Sequence, residues 1–315
     1  MDFDLPKMNS EPGEDRSISV VLGRVSTEDG DRVLETIAAL ANAHGECLCE
    51  ILIADRLQDA VSKIIAERYP LVRLIPCRPH MSLPEMRTLA FEASSGALIA
   101  VTEDHCVPAP DWLDVVEQAF VTGPDGLVAI GGSVENGVTD TGFDWATFLC
   151  EYSFFSPPVV EGESPILPGM NVVYRRAALL SLPRSALISG FWETTVHPLL
   201  LKQGGRFLSL NAMKMYHCKR FSIRLFARQR FIYSRYYAGI RFDRAQTGRR
   251  LVAAGATVLL PPILLWRMIK AARAKGLDRE LFRALPGLML LVIIWSAGEI
   301  LGYLAGPGDA LAQIE

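Results

Sequence analysis

The chain of 315 residues is long enough for one large domain or two smaller ones, and its net charge of −3 excludes a strongly basic or acidic chain. Its six cysteines form no Cys-x-x-Cys pair and no zinc-binding spacing, which favours reduced thiols in a cytosolic domain. The mean hydropathy of +0.22 is high for a purely soluble protein, and the apolar excess after Arg250 indicates membrane attachment.

Strands and helices are predicted to alternate after an acidic, apolar-poor segment at 1–16, which we expect to be a disordered tail. No basic region followed by an apolar core begins the sequence, so no signal peptide is predicted. Apolar runs predict strands at 17–22, 50–54, 72–75 and 98–102. Helical spacing predicts helices at 31–43, 60–68 and 83–93. This alternation predicts a parallel sheet with helices on its faces.

The next part of the chain is predicted to contain fewer regular elements. Helices are expected at 115–120, 143–155 and 190–202, and strands at 127–134 and 207–215. Residues 157–168 are rich in proline and glycine, so we interpret them as a flexible lid. No Gly-x-Gly-x-x-Gly or Walker loop follows the first strand, which disfavours the usual dinucleotide and NTP folds.

A cluster of polar side chains ends the fourth predicted strand. The apolar run stops at Glu103, Asp104 and His105, and Pro108 and Pro110 are then expected to prevent further sheet pairing. Ligands bind at the carboxyl edge of open α/β sheets, and these oxygen and nitrogen ligands suit a divalent ion that holds a diphosphate. The alternative is a solvated turn after a core strand.

A basic arm is predicted at residues 219–250, where ten lysines and arginines accompany one acid, Asp243. Such a segment favours an anionic partner. Because it leads directly into apolar sequence and contains scattered aromatic residues, we expect it to lie on a membrane surface rather than on nucleic acid.

Two apolar segments follow within residues 251–305. Leu285–Ala305 is long enough to span a membrane, although Glu299 interrupts it. Leu251–Trp266 would be only about 24 Å long as a helix, and Pro261 and Pro262 are expected to break it.

This pattern predicts one membrane span rather than two. Leu251–Trp266 would form a re-entrant or interfacial hairpin, so that the basic loop at 267–284 stays in the cytosol and the tail at 306–315 lies outside. An ordinary hairpin with two spans is the competing prediction.

Residues 17 to about 240 together resemble the family 2 glycosyltransferases, with Val107-Pro108-x-Pro110-x-Trp112-Leu113 continuing the family's pattern after its acidic motif. The resemblance implies a GT-A fold, an α/β nucleotide-diphospho-sugar transferase architecture with a mixed, mainly parallel sheet flanked by helices. We expect this domain at 17–218, followed by C-terminal membrane helices.

The resemblance also implies a donor site. Glu103 and Asp104 occupy the family's acidic motif, which holds a divalent metal and the nucleotide-sugar diphosphate. Asp55 stands where the family reads the nucleotide base, and Arg87 matches an arginine near the nucleotide. His217 resembles the family's closing histidine.

The implied metal ligands are Asp104, His105 and His217. The metal would be Mn²⁺ or Mg²⁺, and the histidine nitrogens tilt the expectation towards manganese.

On the acceptor side the resemblance implies Asn171, Trp192 and Glu193, with Glu193 as the catalytic base. A helix N-terminus would favour the Glu193 carboxylate in any case. Thr194 stands where the family usually has the aspartate that serves as base. Further departures occupy 23–26, where the family has Pro-x-x-Asn, and Thr88, where it has asparagine.

The sequence therefore predicts a glycosyltransferase at the cytosolic face of the inner membrane. It would move one sugar from a nucleotide-sugar donor, expected to be a UDP-sugar, to a lipid-linked or cell-envelope glycan acceptor. Repeated transfer is disfavoured, because Arg-Phe-Ile-Tyr follows Gln229 where processive members have Gln-x-x-Arg-Trp. The alternatives are a degenerate, membrane-tethered binding or assembly module and a nucleotidyltransferase.

Overall fold

The computed structural model describes residues 15–26, 28, 30–43, 45–189, 192–243 and 245–314, and the side chains of all of these except Trp192 and Glu193. The chain forms two compact units. The sheet unit contains the chain up to Gly137 together with Phe155–Lys219. The helical unit contains Val138–Phe154 together with the chain from Arg220 onward.

The described part of the sheet unit contains a mixed sheet of nine strands. The strands are β1 (Ile18–Arg24), β2 (Leu48–Asp55), β3 (Val72–Pro76), β4 (Leu98–Val101), β5 (Cys106–Pro108), β6 (Leu127–Asn136), β7 (Gly162–Glu163), β8 (Val172–Arg175) and β9 (Arg206–His217). Their order is β3-β2-β1-β4-β8-β6-β9-β5, and β7 pairs with β9. All strands except β5, β7 and β8 run in one direction, which confirms the mainly parallel sheet.

Helices cover this sheet, as the sequence predicts. They are α1 (Arg32–Ala41), α2 (Ala60–Arg68), α3 (Leu83–Ala93), α4 (Trp112–Thr122), α6 (Arg176–Leu180), α7 (Arg184–Ile188) and α8 (His197–Lys202), and α5 belongs to the helical unit. Reciprocal capping fixes the start of α3, where the Ser82 hydroxyl and Glu85 bind each other's backbone N–H. The short helices α6 and α7 are not predicted by the sequence, because five residues carry too little periodic pattern.

One expectation about pairing is wrong. Pro108 does not prevent sheet pairing but ends β5, where it lies opposite Met215 of β9. The proline is tolerated because β5 is the last strand in the order and therefore needs no N–H donor on its outer edge. The predicted lid at 157–168 contains β7, whose Gly162 and Glu163 pair with β9.

Strand register brings charged residues to one edge of the sheet. β1 is buried along its whole length, and its last residue, Arg24, lies opposite Asp55 at the end of β2. β4 pairs with β1 in parallel and ends at Val101, two residues before Glu103. The carboxyl ends of parallel strands meet at one edge, so these three side chains belong to the same rim of the sheet.

The helical unit contains α5 (Gly142–Tyr152), α9 (Ile223–Ile240), α10 (Thr247–Ala256), α11 (Leu260–Ala274) and α12 (Asp278–Ala305). Two continuous helical stretches, Thr247–Ala274 and Asp278–Ala305, are long and apolar enough to cross a membrane.

The expected break at Pro261 and Pro262 is wrong. A short 3₁₀ turn, Thr257–Leu259, joins α10 to α11, and both prolines occupy the first turn of α11. Proline is tolerated there because first-turn N–H groups have no partner within the helix. The helical stretch of 28 residues is about 42 Å long at 1.5 Å per residue. Residues 251–266 are therefore part of a longer helix and are not too short to span.

Candidate active site

The acidic turn between β4 and β5 lies beside the end of β9. Because β5 pairs antiparallel with β9 and places Cys106 opposite His217, His105 becomes a direct neighbour of His217. Their Nε2 atoms are 3.1 Å apart, and the two rings meet edge to face at 86°. Both imidazoles are buried. Two histidines that are distant in sequence thus share one site.

Glu103 completes a candidate metal-binding cluster with these histidines. Its Oε2 lies 3.2 Å from His105 Nε2, and the ligand atoms of Glu103, His105 and His217 all lie within 4.8 Å of one another. Two imidazoles and one carboxylate fit a divalent transition metal such as manganese better than magnesium, which prefers oxygen ligands.

Asp104 lies on the other side of the His105 ring, with Oδ1 2.8 Å from Nδ1. A carboxylate in that position fixes the ring and leaves Nε2 to face a metal. Of the ligands implied by the sequence, the structure thus brings His105 and His217 together, with Glu103 rather than Asp104 as the third member.

The cluster has a polarised charge distribution. Burial, together with the neighbouring His105, lowers the pKa of His217 to about 3. Burial also lowers the pKa of His105, but hydrogen bonds to Asp104 and Glu103 outweigh it and the net pKa is raised. Although burial opposes the ionisation of Glu103, the contacts with His105 and Arg87 lower its pKa to about 2. The carboxylates of Asp104 and Glu103 therefore stabilise a positive charge on His105, which lies between them. A bound metal ion would supply a positive charge at the same place.

Arg87, which the sequence resemblance places near the nucleotide, lies next to this cluster. Its Nη2 is 3.7 Å from Glu103 Oε1, and its side chain is buried. Among the described residues, nothing accepts a hydrogen bond from its buried Nε. A guanidinium with a donor to spare suits an incoming phosphate.

Lys219 is a positive residue that sequence reasoning assigned only to the basic arm. It is buried, and its charge contributes to the low pKa of His217. A lysine two residues after His217 could have signalled this proximity, because the site lies at the end of that strand.

Asp55 is buried, and its carboxylate makes contacts inside the sheet unit. Its carboxylate accepts hydrogen bonds from the Ser62 hydroxyl and the N–H groups of Leu57 and Gln58. Arg24 lies 3.5 Å from the same carboxylate. The predicted base-reading residue therefore sits in a closed network at the edge of the sheet, and only 2% of it is exposed.

Arg24 is the residue of this network that sequence reasoning missed. It is wholly buried and forms a bidentate pair with Asp59, at 2.9 and 2.8 Å. Asp59 also caps α2 by accepting hydrogen bonds from Val61 and Ser62. The sequence does contain a clue to this pair, because an arginine ends an otherwise apolar strand and a buried guanidinium requires acidic partners.

The Arg24–Asp59 pair predicts a pH-dependent stability difference. Mainly through its hydrogen bond, Arg24 lowers the pKa of Asp59 to about 2, below the unfolded value of 3.8. Asp59→Asn should therefore destabilise the fold at pH 7 by about 1 kcal/mol, allowing for solvent screening of a partly exposed pair. The difference should shrink as the pH falls from about 4 to 2, because the native carboxylate is then protonated.

Urea unfolding of both proteins across this pH range measures the difference. Asp111→Asn is the matched control, because Asp111 precedes α4 without forming a side-chain cap. An equal loss at pH 7 and at pH 2 would refute the ionic contribution.

Asn171 lies inside the sheet unit and joins three segments. Its Oδ1 accepts a hydrogen bond from Trp112 Nε1, and its Nδ2 donates to the carbonyls of Ser133 and Met213. It has no exposed surface. The structure therefore gives this expected acceptor-side residue a packing role.

Glu193 and Trp192 have side chains outside the described residues, so their expected acceptor-side roles stay predictions. The backbone places both residues in a single π-helical turn, Trp192–Val196, which continues into α8.

Asp104→Asn should weaken metal binding without removing a direct ligand of the cluster. Loss of the charge that holds His105 Nδ1 is expected to lower Mn²⁺ affinity by about 10- to 100-fold, the range for residues that orient a metal ligand. Calorimetric titration with Mn²⁺ measures the effect. An affinity equal to that of the parent would show that Asp104 does not position His105.

Residues 26–182 match the model of the glycosyl transferase family 2. No curated protein matches the sequence. The structure is also similar to two solved glycosyltransferase structures of low sequence identity. The first is GalNAc-T7 with UDP, GalNAc and Mn²⁺, at 15% identity and a TM-score of 0.50, over 65% of this chain and 44% of that one. This chain thus spans less than half of that protein's length.

The second is the mannosyltransferase PcManGT from Pyrobaculum calidifontis in complex with GDP-Man and Mn²⁺. It has 12% identity and a TM-score of 0.55, over 92% of this chain and 88% of that one. At these identities the likeness shows a shared GT-A fold.

Proposed function

The chain carries a glycosyl transferase family 2 domain at residues 26–182, and from this premise we propose that it transfers a single sugar from a nucleotide-sugar donor to an acceptor at a membrane. The enzyme is thus a glycosyltransferase, and the donor and acceptor are the proposed parts. The observation that carries the proposal is the Glu103–His105–His217 cluster beside Arg87 at the rim of the sheet.

The donor diphosphate is proposed to bind at this cluster. Arg87 would donate its spare Nε–H to a phosphate oxygen, and the positive charge of Lys219 would add to the attraction. Glu103, His105 and His217 would hold a divalent metal, which when bound neutralises the charge of the leaving diphosphate. Asp104 would keep the His105 ring oriented.

Glu193 is proposed to act on the acceptor. Its carboxylate would accept the proton of the acceptor hydroxyl while that oxygen forms a bond with the anomeric carbon of the sugar. The bond from that carbon to the diphosphate oxygen breaks, and the nucleoside diphosphate leaves. Thr194 supports the degenerate binding module as a second candidate, because the family usually places its catalytic aspartate there.

We further propose a lipid-linked or cell-envelope glycan acceptor at the cytosolic face of the inner membrane. Two long apolar helical stretches support membrane association. Single transfer rather than polymerisation is supported by the sequence after Gln229, which lacks the Gln-x-x-Arg-Trp pattern of processive enzymes.

A nucleotide-sugar screen tests the proposal. The purified full-length chain in detergent is mixed with UDP- and GDP-sugars, with Mn²⁺ or Mg²⁺ or with neither. Metal-dependent binding with slow donor hydrolysis supports the transferase, and we expect a UDP-sugar to bind most tightly. Donor binding that is followed neither by hydrolysis nor by sugar transfer to membrane-lipid extracts favours the binding module. No binding of any donor refutes the proposed donor site.

A further inference from the structure

An apolar face runs along the first long helical stretch of the helical unit. Its large exposed side chains are Leu251, Val252, Val258, Leu259, Ile263 and Trp266. They recur at helical spacing, while Ala254, Thr257, Met268 and Ala272 form the buried face. The exposed face is therefore apolar, whereas the exposed face of a soluble helix is usually polar.

Helix α12 also has an exposed apolar face, and most of its buried residues, such as Leu288 and Leu291, are apolar as well. Its large exposed side chains are Phe282, Met289, Leu290, Ile293 and Leu304. Phe282 and Ile293 are 79% and 59% exposed. They lie on one stripe along the helix. Contiguous exposed apolar surface of this kind marks a site of association with membrane or protein.

The opposite face of α12 is covered by α5 and α9 along most of its length. Gly287 packs against Phe143 and Ala146 of α5. Further along, a Cβ on Gly298 or Gly302 would collide with Ser234 or the backbone of Arg235 in α9. The helices therefore pack closely, and α12 cannot separate from α9 without exposing this surface.

Both covering helices carry charges level with the middle of the apolar segment 285–305. Arg230 of α9 forms an ion pair with Glu151 of α5 at 3.2 Å and stacks 4.2 Å above the ring of Trp295. Trp295 in turn donates a hydrogen bond to Glu299. If α12 crossed the bilayer, this group of charges would lie near its centre, where ionised groups are strongly disfavoured.

Basic residues flank the apolar faces. Residues 267–283 contain six lysines and arginines and two acids, Asp278 and Glu280. Lys270 and Arg279 are exposed. Cations beside an exposed apolar face are the pattern of a surface that inserts into the headgroup region of an anionic leaflet.

We propose that the helical unit inserts into a single leaflet of an anionic membrane, with α12 lying in the membrane plane. The apolar faces of the two helical stretches would enter the lipid, and α5 and α9 would stay on the water side. This proposal deepens the membrane association of the proposed function and replaces the expected single span of Leu285–Ala305.

Tryptophan depth measurements test this arrangement. Phe282→Trp, Ile293→Trp and Leu304→Trp place a probe at each end and in the middle of the exposed stripe, in the full-length chain with its native cysteines. The proteins are bound to vesicles of phosphatidylglycerol and phosphatidylcholine that contain lipids brominated near the headgroup or near the chain end. The fluorescence of the parent protein is subtracted, and Asp309→Trp, at an exposed polar position, is the control outside the stripe.

In-plane insertion predicts the same shallow depth for all three probes. Quenching should be strongest with bromine near the headgroup, and the Asp309→Trp probe should be quenched least. A probe at 293 that is quenched best by chain-end bromine, with shallow probes at 282 and 304, would overturn the proposal in favour of a span. No quenching at any position would overturn membrane insertion altogether. Since no sugar donor is used, these outcomes are independent of the proposed transferase activity.

A charge-reversal variant provides a second measurement. Lys270→Glu with Arg279→Glu should lower the binding of the chain to the anionic vesicles by at least about tenfold, because each basic residue near the surface contributes about fivefold. Lys63→Glu with Arg68→Glu on α2 changes the net charge equally and is the matched control. An equal loss in both variants would refute a basic surface specific to the helical unit.

Discussion

Glu103→Gln is expected to lower Mn²⁺ affinity by more than about a hundredfold, exceeding the usual effect of residues that only orient a ligand. The substitution preserves size but replaces a negative ligand by a neutral amide. Donor binding should lose its dependence on Mn²⁺, since the diphosphate would be attracted by Arg87 and Lys219 alone. Calorimetry with Mn²⁺, and with UDP in the presence and absence of Mn²⁺, measures both effects.

Glu50→Gln is the matched control for this variant. Glu50 is another carboxylate of the sheet unit, and it binds the hydroxyls of Ser19 and Ser95. The Glu50→Gln substitution should leave Mn²⁺ affinity unchanged. If Glu103→Gln retained the parent's affinity while Asp104→Asn lost it entirely, the third ligand would be Asp104, as the sequence alone suggests.

Glu193→Gln is expected to lower the rate of sugar transfer by at least about a hundredfold, the lower range for general-base catalysis. Donor affinity should barely change, because the proton is removed from the acceptor. Transfer under single-turnover conditions, together with donor titration, separates the two effects.

Glu92→Gln removes an exposed carboxylate that pairs with Arg184, and it should leave transfer unchanged. If Glu193→Gln transferred sugar as fast as the parent, another group would be the base. If the parent itself bound donor without transferring sugar, the binding module would be the correct description.

The parts of the fold that the sequence predicts well are those with strong periodic patterns. The alternating elements from β1 to β4 follow from apolar runs and helical spacing, and the helix at 83–93 was predicted with its observed limits. The edge strand β5 was missed because Pro108 argues against pairing unless the strand is known to be at the edge. Edge position depends on the order of strands, which local sequence does not contain.

The candidate site was predictable in composition but not in geometry. Glu103, Asp104 and His105 stand out because charged residues end an apolar run. Which carboxylate faces His217 depends on side-chain direction at the turn, and adjacent residues in an irregular segment give no periodic clue. Arg24 illustrates the same limit, because its partner Asp59 is 35 residues away.

The pairing of His105 with His217 joins positions that are 112 residues apart. An ion held between them would act as a cross-link that closes a long loop, and such closure restricts the unfolded chain more as the loop lengthens. During synthesis, the segment up to His105 must wait for most of the sheet unit before this link can form. Metal binding would therefore require that β9, which ends at His217, has already joined the sheet. A chain that lacks β9 would have little capacity to bind the ion.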